Sequence, residues 1–275
     1  MSIFLAGSGC PVRDPAPHGM KTMQPKTRLD VLMVEKGLVS SRERARALIM
    51  EGKVRVAGVR VDKPGKVFQH DVPVSIDVDS AYVSRGGLKL EAALDGFGLD
   101  PRDLTILDAG ASTGGFTHCL LERGAARVIA VDVGYGQFDW GLRNDPRVFL
   151  IERTNVRFLD PSILPFSVDA GVADLSFISL RLVLGRLYDI LPPGGWLLPL
   201  VKPQFEVGRA DVGKGGVVRD PRKIKDAVDR VKAFAVQAGF VVQGELESPI
   251  KGAKGNREFF VLLHKERPET HKGRP

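Results

Sequence analysis

The segment that decides the fold is ILDAGASTGGFT, residues 106–117. An apolar run ends in Asp108, a turn of small residues follows, and a helix is predicted to begin at Gly115. Backbone N–H groups at the start of such a helix can bind a ligand, and the glycines let that ligand approach the backbone closely. This order of elements predicts a Rossmann-like α/β fold with a ligand site at the turn.

A second acidic residue, Asp132, indicates that the ligand contains a nucleoside. It ends the apolar run 128–131, where a carboxylate can bind ribose hydroxyls. A glycine-rich turn alone could equally be an ordinary connection between a strand and a helix. The cofactor-binding residues that we predict are Asp108, Gly110, Ser112, Thr113, Gly114, Gly115, Phe116 and Asp132, with Asn155 at the edge of the site. Asn155 could instead serve only the structure of its loop.

Helix-type and strand-type patterns alternate after Gly86. Strands are predicted near 104–108, 127–132, 147–152, 168–173, 195–201, 239–246 and 258–264, and helices near 88–97, 115–123, 137–144, 180–191 and 221–238. This pattern predicts a Rossmann-like α/β fold with a seven-stranded sheet, mostly parallel with its last strand antiparallel. The stretch 203–218 is expected to be a long unstructured loop, for which a substrate-binding role is favoured over a plain connection.

Four charged residues are expected to meet at one edge of this sheet. They are Lys89 on the helix before the first strand, Asp174 and Lys202 at the ends of the fourth and fifth strands, and Glu258 at the start of the seventh. Ligands bind at the carboxyl ends of parallel strands, and an antiparallel seventh strand begins at that same edge. Taken singly, each of these residues could be a member of a surface ion pair.

These four residues and the loop DAGASTGGFT resemble the Lys-Asp-Lys-Glu tetrad and cofactor loop of the FtsJ-like ribose 2′-O-methyltransferases. The segments SRGGLKL, VDVGYGQ, ADLSFISL, VKPQFEVG and GNREFF are similar to the haemolysin-A-like (TlyA) branch, whose members carry an S4 RNA-binding domain before the methyltransferase domain. The resemblance covers about residues 28–265. It implies that the fold is of the class I S-adenosylmethionine-dependent methyltransferase type. It further implies S-adenosyl-L-methionine as cofactor and ribosomal RNA, 16S and/or 23S, as substrate, with a cytidine ribose as the methylated group.

The implied reaction displaces a methyl group from a sulfonium, and the nucleophile is a ribose hydroxyl. A lysine can take the proton of that hydroxyl only if its pKa falls from the ordinary value of about 10.4. We assign Lys202 as the base, Asp174 as its orienting partner, and Lys89 and Glu258 as supporting groups. Which of the two lysines is neutral is left open.

The positive charge of the chain is concentrated before the catalytic part. The net charge is +7, and residues 21–66 hold twelve Lys and Arg against five Asp and Glu. Extension of this window to Ser80 adds three Asp and lowers its excess to +4. A small basic module beside a neutral enzyme favours binding to an RNA backbone, although it could also be a solvated surface. The RNA-binding residues that we predict are Arg28, Arg42, Arg44, Arg46, Lys53, Arg55, Arg85 and Lys214.

Within this basic module, a helix is predicted from Arg28 to Lys36. A second helix is expected to begin at a capping box from Ser40 to Glu43, followed by a hairpin around Ala57-Gly58 and a strand at 72–78. We expect a disordered extension at 1–25, an S4-like α+β domain at 26–80, a linker at 81–85, the methyltransferase domain at 86–265 and a flexible tail at 266–275. A fragment that begins near Ser84 holds every predicted cofactor residue, so we expect it to retain cofactor binding.

Other classes of protein are disfavoured by composition. Cys10 and Cys119 lack the spacing of a metal site or a disulfide framework, and no apolar run or signal peptide indicates a membrane, so a cytoplasmic location without metal is expected. Two alternatives remain, a non-enzymatic cytolysin and a methyltransferase that acts on a base amino group, a protein or a small molecule. Amino-directed enzymes typically have two prolines after the fourth strand, and the corresponding residues 174–177, DLSF, lack both.

Overall fold

The computed structural model describes residues 26–39, 41–76, 82–252 and 254–267. The N-terminal part is a small α+β domain. Its elements are β1 (Lys26–Arg28), α1 (Leu29–Glu35), α2 (Arg42–Met50), β2 (Val54–Val56), β3 (Val59–Arg60), β4 (Val67–Gln69) and β5 (Val74–Ile76). The predicted extension at 1–25 and most of the predicted tail lie outside the described residues.

The N-terminal domain has a core of its own because its two helices bury one apolar face each. Leu29 and Met33 of α1 pack with Leu48 and Ile49 of α2 and with Val54 of β2. The hairpin β2–β3 confirms the prediction around Ala57-Gly58, and β5 adds to β2 in antiparallel register. Strands β1 and β4 pair antiparallel and were not predicted, since three-residue segments with mostly exposed side chains show no hydrophobic pattern.

The start of α2 differs from its prediction. Ser41 is the cap, and its hydroxyl accepts a hydrogen bond from the Arg44 N–H at 3.2 Å. The capping box predicted from Ser40 to Glu43 is therefore wrong by one residue, and Ser40 itself lies outside the described residues. A helix N-terminus offers several N–H groups, so two adjacent serines cannot be distinguished from sequence alone.

The catalytic domain alternates helices and strands as predicted. Its elements are α3 (Arg85–Phe97), β6 (Thr105–Ala109), α4 (Gly115–Glu122), β7 (Arg127–Val131), α5 (Trp140–Arg143), β8 (Val148–Ile151), β9 (Ala170–Ala173), α6 (Leu184–Ile190), β10 (Trp196–Val201), α7 (Pro203–Glu206), α8 (Pro221–Gln237), β11 (Val241–Glu247) and β12 (Phe259–His264). Helix α3 begins three residues earlier than predicted because the Ser84 hydroxyl caps it, so the helix starts inside the predicted linker.

Within the described residues, seven strands form one sheet in the order β11-β12-β10-β9-β6-β7-β8. Strand β12 is antiparallel to both of its neighbours, whereas the pairs between β10, β9, β6, β7 and β8 are parallel. This confirms the predicted class I methyltransferase type of sheet. The topology places the carboxyl ends of β9 and β10 beside the amino end of β12.

Two apolar cores lie on the two faces of this sheet. One contains Leu107 and Ile129 with α6 and α8, and the other contains Ile106 and Val128 with α3 and α4. Helix α8 buries Ile224, Ala227, Val228, Val231 and Ala235, which recur every three or four residues. In the part of the chain that the structure describes, no helix is long and apolar enough to cross a membrane.

The segment 203–218 is more ordered than predicted. It contains α7, a 3₁₀ turn at Arg209–Asp211 and an antiparallel bridge between Gly213 and Val217. The Asn256 side chain holds it further, by accepting from the Val218 N–H at 3.0 Å and donating to the Gly216 carbonyl at 2.9 Å. The prediction of an unstructured loop is therefore wrong, because contacts from a distant segment replace the missing local pattern.

Candidate active site

The turn between β6 and α4 forms the predicted cofactor cradle. Gly110 has φ +88°, and a Cβ there would lie 2.6 Å from the Asp174 carbonyl oxygen. At Gly115, a Cβ would collide with the Ser84 hydroxyl at the start of α3. Both positions therefore require glycine. The N-cap residue of α4, Gly114, provides no side-chain cap, so the first N–H groups of this helix can bind a ligand.

Asp132 joins this turn to the segment that follows β7. Its Oδ2 accepts a hydrogen bond from the Ser112 N–H at 2.8 Å, and its Oδ1 accepts from the Gly134 N–H at 2.6 Å and from Gln137 Nε2 at 3.0 Å. Ser112 has φ +51°, which is uncommon for a residue with a side chain. Asp132 thus holds the strained turn and stands at the place where a ribose-binding carboxylate is expected.

Asp108 is wholly buried at the end of β6. The Thr117 hydroxyl donates to its Oδ2 at 2.6 Å, and its Oδ1 has no hydrogen-bond partner among the described residues. Burial raises the pKa of Asp108 to about 7, with smaller contributions from the neighbouring carboxylates Asp174 and Asp132. An unpaired buried carboxyl oxygen beside a glycine-rich turn fits a polar ligand such as the nucleoside cofactor.

The four predicted catalytic residues are brought together. Lys202 Nζ lies 2.6 Å from Asp174 Oδ1, and Lys89 Nζ lies 2.7 Å from Glu258 Oε2. The sheet explains this placement, since Pro199 of β10 pairs with Ala173 of β9, and Val201 of β10 pairs with Phe259 of β12.

The two ion pairs share one electrostatic environment. Burial opposes the ionisation of Asp174, but the charges of Lys202 and Lys89 outweigh it and hold the pKa of this carboxyl below its usual value. Both lysines are nearly buried, with 8% and 9% of their surface exposed for Lys89 and Lys202. The arrangement places an ammonium group, held by a carboxylate, at the carboxyl edge of the sheet. A ligand bound along the predicted cofactor turn would reach this edge with one of its ends.

Two further polar residues hold this edge and were not predicted. Ser176 Oγ lies 2.7 Å from Lys202 Nζ. Glu206 of α7 is buried, its Oε2 accepts from the Ser179 hydroxyl at 2.6 Å, and its Oε1 accepts from the Leu180 N–H at 2.7 Å. Burial raises the pKa of Glu206, and these hydrogen bonds partly offset the rise. Glu206 connects the segments after β9 and β10, a role that its place in VKPQFEVG does not reveal.

Two aromatic residues near the site are exposed. Phe177 has φ +65° and is 89% exposed, with its ring centroid 5.3 Å from that of Phe205. Trp140 is 74% exposed. Neither side chain packs in the core. The positive φ of Phe177, three positions after Asp174, is a strained backbone conformation of the kind that is concentrated at functional sites.

Asn155 has a local contact in this structure. Its Oδ1 accepts a hydrogen bond from the Arg157 N–H at 3.0 Å and caps the 3₁₀ turn Val156–Phe158. This agrees with the alternative that Asn155 serves its loop, and a role at the edge of the cofactor site stays a prediction.

The predicted RNA-binding residues divide into two groups. Arg28 and Arg42 both pair with the buried Asp30, at 2.9 and 3.2 Å, and their side chains are about half exposed. The Arg46 and Lys214 side chains are exposed, and Arg55 donates to the Gly58 carbonyl at 3.2 Å. Arg28, Arg42, Arg46 and Lys214 are thus exposed to solvent, whereas Arg55 is half-buried.

The second group lies where the two domains meet. Arg44 pairs with Asp139 at 2.9 Å and donates to the Gln137 carbonyl at 3.1 Å. Lys53 is buried and donates to the Val83 carbonyl at 2.6 Å, and the Nε of Arg85 is buried without a hydrogen-bond partner among the described residues. Arg44 is 14% exposed and Lys53 is buried, whereas Arg28 and Arg42 are about half exposed, so Arg44 and Lys53 are less accessible to RNA and their role in binding it stays a prediction.

Comparisons with known proteins agree with this architecture. The model of the FtsJ-like methyltransferase family matches residues 82–265, and the model of the S4 domain matches residues 27–71. The protein YqxC of Bacillus subtilis is 47% identical over 87% of this chain and 86% of its own length. The 16S/23S rRNA (cytidine-2′-O)-methyltransferase TlyA of Mycobacterium tuberculosis is 47% identical over 88% of this chain and 91% of its own length.

A solved structure is similar to this chain over both domains. A hemolysin-like protein from Streptococcus thermophilus superimposes with a TM-score of 0.69 at 44% identity, and the match covers 88% of this chain and 90% of that protein. The observed folds of both domains agree with the two family models, and the tetrad lies in the part that the FtsJ-like model matches. The chain belongs to the FtsJ-like methyltransferase family, with an S4 domain before the methyltransferase domain.

Proposed function

We propose that this protein is an S-adenosylmethionine-dependent ribose 2′-O-methyltransferase that acts on ribosomal RNA in the cytoplasm. The observation that carries the proposal is the pair Lys202–Asp174, held beside Lys89–Glu258 at the end of the cofactor turn. Two lysines have no role in methyl transfer to an amino group, whereas a hydroxyl nucleophile needs a group that takes its proton. The M. tuberculosis relative named above supports a cytidine of 16S and/or 23S RNA as the target.

The cofactor would lie along the turn 110–117. Ser112, Thr113, Gly114, Gly115 and Phe116 supply the cradle, the unpaired Oδ1 of Asp108 offers an acceptor, and Asp132 stands at the ribose position. When bound, S-adenosylmethionine supplies an electrophilic methyl group on a positively charged sulfur.

The residues of this chain then act on the ribose. A bound cofactor would supply its methyl group to the 2′-oxygen, and the hydroxyl proton would pass to Lys202 Nζ after this ammonium has lost its own proton to solvent. Asp174 and Ser176 hold that nitrogen in place. The ion pair Lys89–Glu258 adds one positive and one negative charge beside it. Asp174 stays ionised because the two lysines hold its pKa low, so it can stabilise the ammonium that forms.

Recognition of the RNA is assigned to the N-terminal domain. Arg28, Arg42, Arg46 and Arg55 form its outward cationic surface, and Lys214 and Arg85 lie on the catalytic domain. The exposed Phe177 ring offers a stacking surface for a base beside the reacting ribose. Arginines without interleaved aromatic residues suit the backbone of structured RNA rather than single strands.

Mapping of ribose methylation tests the proposal directly. Ribosomal RNA from cells without this gene should lack one or more 2′-O-methyl groups, and expression of the wild-type chain should restore them while Lys202→Ala should not. An identical map with and without the gene would exclude the reaction. Methyl groups on a base rather than a ribose would favour the amino-directed alternative, and leakage of liposomes by the purified chain would favour the cytolysin.

A further inference from the structure

One face of helix α2 in the N-terminal domain contacts two segments of the catalytic domain. They are the turn 110–114 and the segment 132–139 after β7, and both contain predicted cofactor-binding residues. Near the start of the helix, the Ser41 hydroxyl donates to the Gly136 carbonyl at 3.3 Å, and Arg44 pairs with Asp139 at 2.9 Å. At its end, Glu51 Oε1 accepts from the Thr113 hydroxyl at 3.0 Å. Arg44 and Glu51 are seven positions apart, about two helical turns, so both point to the same side.

Thr113 is the residue on which these contacts converge. It is 1% exposed, its hydroxyl donates to Glu51, and its carbonyl accepts from the Asp139 N–H at 3.2 Å. Asp139 pairs in turn with Arg44, so the contacts run from α2 to the turn and back to α2. The preceding residue, Ser112, donates its N–H to Asp132. The conformation of the turn is therefore tied to the position of the N-terminal domain.

Glu51 is costly to place at this interface. Its Oε2 is buried without a hydrogen-bond partner among the described residues, although the charges of Lys53, Arg44 and Arg85 lie nearby. A buried carboxyl with only one oxygen paired lowers stability compared with a well-packed apolar residue. The charges of Lys53, Arg44 and Arg85 offset part of this cost, and among the described residues the Thr113 hydroxyl is the hydrogen-bond donor that this carboxylate binds.

We propose that Glu51 is a positioning residue of the cofactor site, which holds Thr113 and with it the turn 110–114 in the conformation that receives S-adenosylmethionine. This inference rests on the proposed function, since it assumes that the turn binds this cofactor. It also changes the expectation for a fragment that begins near Ser84. Such a fragment holds every predicted cofactor residue but loses Ser41, Arg44 and Glu51, and its cofactor affinity falls.

The test measures cofactor affinity by calorimetry with S-adenosylhomocysteine on the full chain and its variants. Glu51→Ala and Thr113→Val each remove the hydrogen bond and should weaken binding about three- to tenfold, the range for one buried hydrogen bond. The affinity of the double variant should equal that of the single variant with the lower affinity, because both changes remove the same contact. Independent, additive losses would overturn the proposal.

Two matched variants separate positioning from a general effect on folding. Glu51→Gln keeps an oxygen acceptor for Thr113 and should bind within about twofold of wild type, the scale of a contact that is retained. Glu43→Ala removes an exposed carboxylate from the same helix and should leave cofactor affinity unchanged. A loss in Glu51→Gln as large as that in Glu51→Ala would exclude the hydrogen bond as the cause.

The outcomes also distinguish this inference from the proposed function. If wild type fails to bind S-adenosylhomocysteine, the proposed function is wrong. If wild type binds it and Glu51→Ala binds equally well, only the role of Glu51 is wrong. Thermal unfolding of each variant reports whether the domain interface persists, and Thr113→Val gives the second measurement should Glu51→Ala not fold.

Discussion

Lys89 Nζ and Glu258 Oε2 are 2.7 Å apart, although the two residues are separated by 169 positions in the chain. Both side chains are nearly buried, with 10% and 3% of their surface exposed. Lys89 comes from the helix before the sheet and Glu258 from its last strand, so the pair forms only when the sheet is complete. It connects the start and the end of the catalytic domain at the candidate active site.

Glu258→Gln should destabilise the protein by about 3 kcal/mol or more, because it leaves the ammonium of Lys89 buried without its counter-charge. The double variant Lys89→Met with Glu258→Gln should recover most of that stability, since no uncompensated charge remains. Methyl transfer should be lost in the single variant and in the double variant. Urea unfolding and a methylation assay check these outcomes, and recovery of activity together with stability would show that the pair has only a structural role.

Lys202→Ala should lower methyl transfer at least about a hundredfold, the smallest contribution usual for a group that takes a proton in the transition state. Affinity for S-adenosylhomocysteine and for RNA should change by no more than a few-fold, since the lysine acts on the reacting hydroxyl. Lys225→Ala, on the exposed side of α8, is the control. Activity of Lys202→Ala within a few-fold of wild type would show that another group accepts the proton.

Asp108 should make stability depend on pH. Its pKa is 3.8 in the unfolded chain and about 7 in the folded protein, because burial disfavours the charged form. Between these values the folded state holds more protons, so the free energy of unfolding falls as pH rises from about 4 to about 7 and is level above that. The loss is at most about 4 kcal/mol, since each pKa unit corresponds to about 1.4 kcal/mol.

Asp108→Asn removes this ionisation. Its stability relative to wild type should therefore increase across the same interval of pH, as measured by urea unfolding at a series of pH values. Asp100→Asn replaces an exposed carboxylate and serves as the control. A constant difference between Asp108→Asn and wild type from pH 4 to 7 would mean that Asp108 titrates as an ordinary carboxyl.

The outward arginines of the N-terminal domain should set the salt dependence of RNA binding. Arg42→Ala and Arg46→Ala should each weaken binding to ribosomal RNA and reduce the slope of log affinity against log salt by about 0.7–0.9. Cofactor affinity should not change. Arg44→Ala should leave the slope as it is, because the Arg44 side chain is only 14% exposed and faces Asp139 of the catalytic domain. A reduction of the slope in Arg44→Ala equal to that in Arg42→Ala would show that Arg44 contacts phosphate in the complex.

The sheet and most of the candidate site could be predicted from the sequence. Strands and helices of the catalytic domain follow from local hydrophobic periodicity, and the turn at 110–115 from a run of small residues after Asp108. The meeting of Asp174, Lys202 and Glu258 follows from strand order, because an antiparallel last strand begins where the parallel strands end. These features depend on short segments and on a topology that the element pattern implies.

Only the tertiary structure decided what each charged side chain contacts. Arg42 and Arg44 are two positions apart on one helix, yet the half-exposed Arg42 pairs with Asp30 of its own domain and the largely buried Arg44 pairs with Asp139 of the catalytic domain. The direction of a helical side chain changes by about 100° per residue, so charge alone does not tell which residue faces solvent. The Glu51–Thr113 contact and the raised pKa of Asp108 likewise arise from segments that meet only in the folded chain, since burial and pairing are properties of the assembled domains.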